Sequence, residues 1–169
     1  TATGKTVALE DDLDVAPNLL RWSAGSREVV VWARRDGQTW GEGGLVRIST
    51  EGAIRPVDTG GLEPREKGRT IDELRAARAD WVGEHLLIYA RRPDGDRFDW
   101  WRLDPRGPVA VTQRLASVPD RLTSVGEVSA RLVADGRLWD LSASGAIEPV
   151  GETESGLRSA EPVNLLDTV

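Results

Sequence analysis

Short apolar runs alternate with glycine-centred polar turns along most of the chain. One ten-residue pattern occurs three times without a gap: Leu45–Ile54, Trp100–Val109 and Leu138–Ile147. Each copy opens with two apolar residues, a charged residue and a further apolar residue. Three turn-forming residues follow, then Gly52, Gly107 or Gly145, then a β-branched residue two positions on. The pattern predicts a short strand, a tight turn and the start of a second strand. The glycine supplies the positive φ that such turns often need.

A second repeat lies upstream of each copy. Val29-Val30-Val31-Trp32-Ala33-Arg34-Arg35-Asp36-Gly37 matches Leu86-Leu87-Ile88-Tyr89-Ala90-Arg91-Arg92-Pro93-Asp94-Gly95, and Leu132-Val133-Ala134-Asp135-Gly136 is a shortened third copy. Each is an apolar strand running into an Asp-Gly turn, a strong hairpin signal. Trp22 and Trp81 close a preceding strand in the first two copies. The unit is therefore four antiparallel strands. Such units at roughly 40–50 residue spacing are the signature of a β-propeller. The expected fold is all-β: a propeller segment of about three to four four-stranded blades, with one short helix in an insertion. The whole chain, 1–169, reads as a partial propeller with units at approximately 17–57, 80–113 and 114–150 and an insertion at 58–79. Three blades do not close a ring, so the remaining blades are expected outside this sequence. A freestanding β-sandwich is the other all-β arrangement, and the close repetition counts against it.

Within 58–79, Gly60, Gly61, Pro64 and Gly68 mark loop, and Thr70-Ile71-Asp72-Glu73 reads as a capping box. A short helix is expected from about Ile71 to Ala79. A first strand is expected over Asn18–Trp22, and another over Val7–Leu9 running into an acidic turn.

Composition narrows the function classes. The chain has 169 residues, 39% apolar and 30% charged, which fits one globular core. No apolar run approaches the ~20 residues of a membrane span. A net charge of −6 argues against nucleic acid as a partner. There is no Cys, so disulfides and thiolate chemistry are absent and the compartment is open. The chain starts Thr1-Ala2-Thr3-Gly4 without Met, which reads as a cut or processed end. His85 is the only histidine, which excludes a His-rich metal site.

Candidate chemistry is sparse. Gly4-Lys5-Thr6 lacks the rest of a phosphate-binding loop. Glu10, Asp11, Asp12 and Asp14, and separately Asp94, Asp96 and Asp99, are spaced like cation-binding acids, yet read more simply as acidic loops. The Arg pairs Arg34/Arg35 and Arg91/Arg92 are the candidates for a carboxylate or anion clamp, and Trp40, on the Gly-rich loop 38–44, for a ligand contact. The simpler reading is a solvated hairpin end for the arginines and an aromatic folded back on its sheet for Trp40. Trp22 with Trp81, Trp32 with Tyr89, and Trp101 with Trp139 recur at matched positions, which favours core packing. There is no Gly-x-Ser-x-Gly elbow, no catalytic residue is assigned, and no cofactor or metal is expected.

Trp22-Ser23-Ala24-Gly25-Ser26-Arg27-Glu28-Val29-Val30-Val31 and Trp100-Trp101-Arg102-Leu103-Asp104-Pro105-Arg106-Gly107 resemble the propeller domains of prolyl-oligopeptidase-type serine peptidases, and within that group those of bacterial lasso-peptide isopeptidases. The resemblance covers roughly 17–166. It implies a substrate-gating propeller whose catalytic α/β-hydrolase domain lies outside this chain, with a peptide or isopeptide substrate. The implied partners are that domain and the remaining blades of the same protein, in a bacterial cytoplasm or periplasm. Asp80-Trp81-Val82 is also similar to the segment before the paired glutamates of dipeptidyl peptidases, but Gly83-Glu84-His85 follows and supplies no pair. The alternative function is a non-catalytic propeller acting as a protein–protein binding module.

Overall fold

The computed structural model describes residues 6, 8–9, 12–64, 78–119, 121–125 and 128–152. Among them, thirteen strands and one 3-10 turn form three antiparallel sheets in chain order. The first holds β1 (Leu13–Trp22), β2 (Glu28–Arg35), β3 (Gly44–Ser49) and β4 (Ile54–Pro56). The second holds β5 (Glu63–Pro64), β6 (Ala79–Val82), β7 (His85–Arg91), β8 (Asp99–Asp104) and β9 (Gly107–Ala110). The third holds β10 (Thr123–Val125), β11 (Ser129–Ala134), β12 (Arg137–Ser142) and β13 (Ile147–Glu152). β5 and β6 both pair with β7 along the same edge, so each sheet is a four-step meander.

The repeats read from the sequence coincide with the strand registers. Trp22 opposes Val29 as Trp81 opposes Leu86. Trp101 opposes Ile88 as Trp139 opposes Leu132. The indoles of Trp101 and Trp139 donate to matched carbonyls, Ala90 at 2.8 Å and Ala134 at 3.0 Å. Gly52 and Gly145, at matched turns, have φ of 88° and 87°, a region that carries no penalty for glycine alone. Asp135 and Gly136 both have positive φ and join β11 to β12 directly, the primed-turn geometry that Asp-Gly favours. At Asp36-Gly37 and Asp94-Gly95 the turn instead opens a longer loop.

Strand alternation gives the first two sheets two buried faces each and the third sheet one. Val30, Trp32 and Leu45 of the first sheet pack on Trp81, Ile88 and Trp101 of the second. Leu87, Tyr89 and Trp100, on the second sheet's other face, pack on Leu132, Ala134 and Leu141 of the third. Each fully buried Leu, Val or Phe-sized side chain contributes about 1.5–3 kcal/mol, so two such interfaces hold the stack together. The first strands also meet one another, β1 against β6 and β6 against β10. The last strands carry Pro56, Pro108 and Pro149. Val57 donates to Leu45 and Ser49 to Ala53, which turns Pro56 to the open edge, where its missing N–H blunts strand addition.

The first two sheets break their first strand at one level. In β1 the register slips between Val15 and Leu20, and Ala16 and Leu19 dip into the core there. In the second sheet the break separates Pro64 from Ala79, and Arg78 O accepts from Tyr89 N at 3.0 Å. Glu63-Pro64, inside the stretch expected as an insertion, is thus a piece of the second sheet. The expected helix falls mostly on 71–77, outside the described residues. Its expected end is corrected: Ala79 opens β6, where its methyl is buried between sheets. β1 begins at Leu13, before the expected Asn18, and Ala8 and Leu9 lie in no strand.

Candidate functional site

The Arg pairs lie at the same level in different sheets, and three of the four arginines already hold carboxylates. Arg34 donates from Nε and Nη2 to Asp14 Oδ2 at 3.1 and 2.9 Å, and from Nη1 to Gln38 O. Its guanidinium also lies 4.5 Å from the centre of the Trp40 ring. Arg35 reaches Asp12 Oδ2 at 2.6 Å. Arg91 donates from Nε and Nη2 to Glu63 Oε2 at 3.2 and 3.1 Å. Arg92 is exposed and stacks over Trp101 at 5.2 Å. Trp40 sits in the 3-10 turn Trp40–Glu42, folded onto the first core cluster. Thr39 N and Oγ1 both donate to Glu42 there, which lowers the glutamate's pKa. These candidates do not converge on one site.

They form a repeated anchor. Register places Arg34, Arg91 and Asp135 at equivalent positions. Arg34 ties down Asp14, and Arg91 ties down Glu63, each just before the break in its first strand. Asp135 accepts from Ala116 N, Ser117 N and Ser117 Oγ at 2.9, 2.9 and 2.7 Å, fixing the segment that leads to β10. The hydrogen bonds from Ser117 and Ala116 hold the Asp135 carboxyl below the usual carboxylate range.

Two polar places remain as sites. The first is a groove of about 590 Å³ between the outer end of the first sheet and the β6–β7 and β8–β9 turns of the second. Arg47, Arg55, Asp58, Glu84 and Asp104 bring its charges, and His85 lies among them. His85 Nδ1 lies 3.8 Å from Asp104 Oδ1. Arg102 grips Asp104 through Nε at 2.8 Å and Nη2 at 2.6 Å, and these bonds lower the Asp104 pKa. The lining contains no Ser, Thr or Cys. The lining therefore offers no serine, threonine or cysteine nucleophile beside the His85–Asp104 pair.

The second place is where the first strands meet. Asp80 on β6 accepts from Trp81 N at 2.8 Å, with Arg21 of β1 and Ser124 of β10 beside it. Burial pushes the Asp80 carboxyl up, and the Trp81 N–H, the Arg21 charge and the Ser124 hydroxyl offset only part of that. Across the same line Trp81 Nε1 donates to Arg21 O at 3.1 Å. Sequence reading passed over Asp80 as a site residue. Its one signal was an acid inside the four-residue strand Ala79–Val82, whose other members are apolar.

Comparison with protein-family models, with curated proteins and with solved structures finds no match to the chain.

Of the remaining sequence candidates, Gly4, Lys5, Glu10 and Asp11 lie outside the described residues, and the others are structural or exposed. Asp99 is buried, accepts from Thr112 Oγ1 at 2.9 Å and pairs with Arg97 at 3.0 Å. Asp94 and Asp96 face solvent. Among the described residues no group of three His, Cys, Asp or Glu is placed to hold a metal ion. No helix among them is long and apolar enough to cross a membrane.

Proposed function

We propose that the three sheets are consecutive blades of a β-propeller and that the chain gates and selects a polypeptide for a serine peptidase or isopeptidase domain outside residues 1–169. The observation that carries the propeller reading is the meeting of β1, β6 and β10 while the proline-bearing last strands lie at the far edges. A sandwich places its sheets around one shared core, whereas here each neighbouring pair has its own. The gating role rests on the sequence resemblance together with a polar first-strand junction and a charge-lined groove. A second reading, a propeller that acts only as a binding module, draws on the same groove and needs no peptidase domain.

A fluorophosphonate probe on the protein expressed from its whole gene separates them. Covalent labelling of a serine outside residues 1–169, blocked by active-site inhibitors, is the expected result. A whole protein that shows no labelled serine would rule out the peptidase role and leave the binding module.

A further inference from the structure

The two seams between neighbouring sheets are built from matched residues but close differently. Arg47 of β3 and Arg102 of β8 hold the same place in the ten-residue repeat, and Pro105 and Ala143 hold the same place in the turn of the following sheet. Arg102 bridges its seam. Its Nη1 donates to Ala143 O at 3.2 Å, and a Cβ at Gly145 would lie 3.1 Å from that nitrogen. Arg47 makes no such bridge to Pro105. It bonds instead to Glu28 Oε1 of its own sheet at 3.3 Å, with its guanidinium 5.1 Å from the Trp81 ring centre. The unbridged seam opens into the groove of about 590 Å³, against about 310 Å³ beside the bridged turn. Positive charge is concentrated at this opening. Arg55 directly opposes Arg47 in the β3–β4 register, so both project from one face of the sheet, and both line the groove. Like charges at such a pair repel. Arg55 is exposed and has no hydrogen bond or ion pair with the described residues.

We infer that Arg47 and Arg55 hold the terminal carboxylate of a polypeptide, with the apolar side chain of its last residue against Val57, Leu103 and Pro108. A carboxylate between two guanidiniums takes charge-assisted hydrogen bonds from both and relieves their repulsion. The balance of charge selects a carboxylate over a phosphate. Asp58, Glu84 and Asp104 also line the groove, and Arg102 grips Asp104. Two arginines then face two acids, so a singly charged group is opposed less than a doubly charged one. The apolar lining selects a chain end over an acidic side chain, because a terminal carboxylate carries its own side chain on the adjacent carbon. The inference rests on the reading that the chain selects a polypeptide, and needs neither a peptidase domain nor a closed ring.

The test is fluorescence polarisation on the protein from its whole gene, with any reactive serine first blocked by a fluorophosphonate. The probe is fluorescein-Gly-Gly-Ala-Leu as the free acid, compared with its C-terminal amide and with the amide of fluorescein-Gly-Asp-Ala-Leu. The expected result is that the free acid binds about tenfold tighter than either amide and that Arg55→Gln removes this advantage. Arg55→Lys should recover part of it, and Arg106→Gln, at an exposed arginine outside the lining, should change nothing. Either amide binding as well as the free acid would overturn the inference. Equal weakening by Arg55→Gln and Arg106→Gln would also overturn it, since the attraction would then be one of net charge. So would displacement of the free acid by inorganic phosphate at a lower concentration than acetate, which would make this a phosphate site. Acid-selective binding that depends on Arg55, with no labelled serine, leaves the site standing and removes only the peptidase. A labelled serine with no preference for the free acid does the reverse.

Discussion

Thr112 and Asp80 show how single polar groups control this fold. Thr112 is fully buried, and its hydroxyl accepts from Trp100 N at 2.9 Å while donating to Asp99 at 2.9 Å. Arg97 closes the network by reaching Asp99, Thr112 O and Leu115 O. Thr112→Val keeps the volume but strands the buried Trp100 N–H and takes one hydrogen bond from the buried Asp99 carboxylate, which keeps Arg97, so it should cost roughly 1–3 kcal/mol, while Thr112→Ser should recover most of the hydrogen bonding. Urea denaturation checks the pair; equal stability of Thr112→Val and wild type would contradict the network's role. Asp80 works in the opposite sense. Its pKa is raised in the fold, so the native state holds that proton more tightly than the unfolded chain. The ionised form weakens the fold above the raised pKa, and that penalty vanishes below the unfolded value. Asp80→Asn keeps an acceptor for Trp81 N. It should raise the melting temperature at pH 7, with the advantage shrinking as pH falls through the carboxylate range. A lower melting temperature at pH 7 would show that the charge is instead held favourably by Arg21.

At the scale of elements, the repeat dictates strands and the anchors dictate where they break. The apolar alternation and the turn glycines made the meander, the Asp-Gly hairpins and the matched tryptophans legible, because each is a local consequence of side-chain period and backbone φ. Trp101 and Trp139, paired by sequence, donate to equivalent carbonyls. Trp22 and Trp81, paired the same way, differ tenfold in exposure, because burial depends on a neighbouring strand that sequence period does not encode. The break between Pro64 and Ala79 was visible only as loop composition. That Glu63 belongs to the strand depends on its long-range bond to Arg91, and the partial burial of Asp80 depends on three strands meeting. Asp135 is the anchor open to the simplest test. Asp135→Asn tolerates the positive φ but loses the charge that takes up three hydrogen bonds. It should cost about 1 kcal/mol and speed amide exchange at Ala116 and Ser117 ahead of the β11–β12 core. Unchanged exchange there would show that the segment is held by packing alone.

At the scale of the molecule, the stack is directional. Two inter-sheet cores run in sequence, and the first strands share one line. Beyond β13, the third sheet's outward face carries the Arg131–Asp140 pair at 2.7 Å and a partly exposed Val133 in place of the aliphatic and aromatic residues of the earlier sheets. A face built on an ion pair suits a neighbour that meets charge, or solvent, more than the close apolar contact seen between the first two sheets. The propeller proposal makes these sheets blades fanned around the line of β1, β6 and β10. A crystal structure of the protein from its whole gene tests it most directly. The expected result is four or more four-stranded sheets in a ring, with β1, β6 and β10 on adjacent sides of its axis and Pro56, Pro108 and Pro149 at the rim. Three sheets folded around a single shared core, with no axis between their first strands, would contradict it.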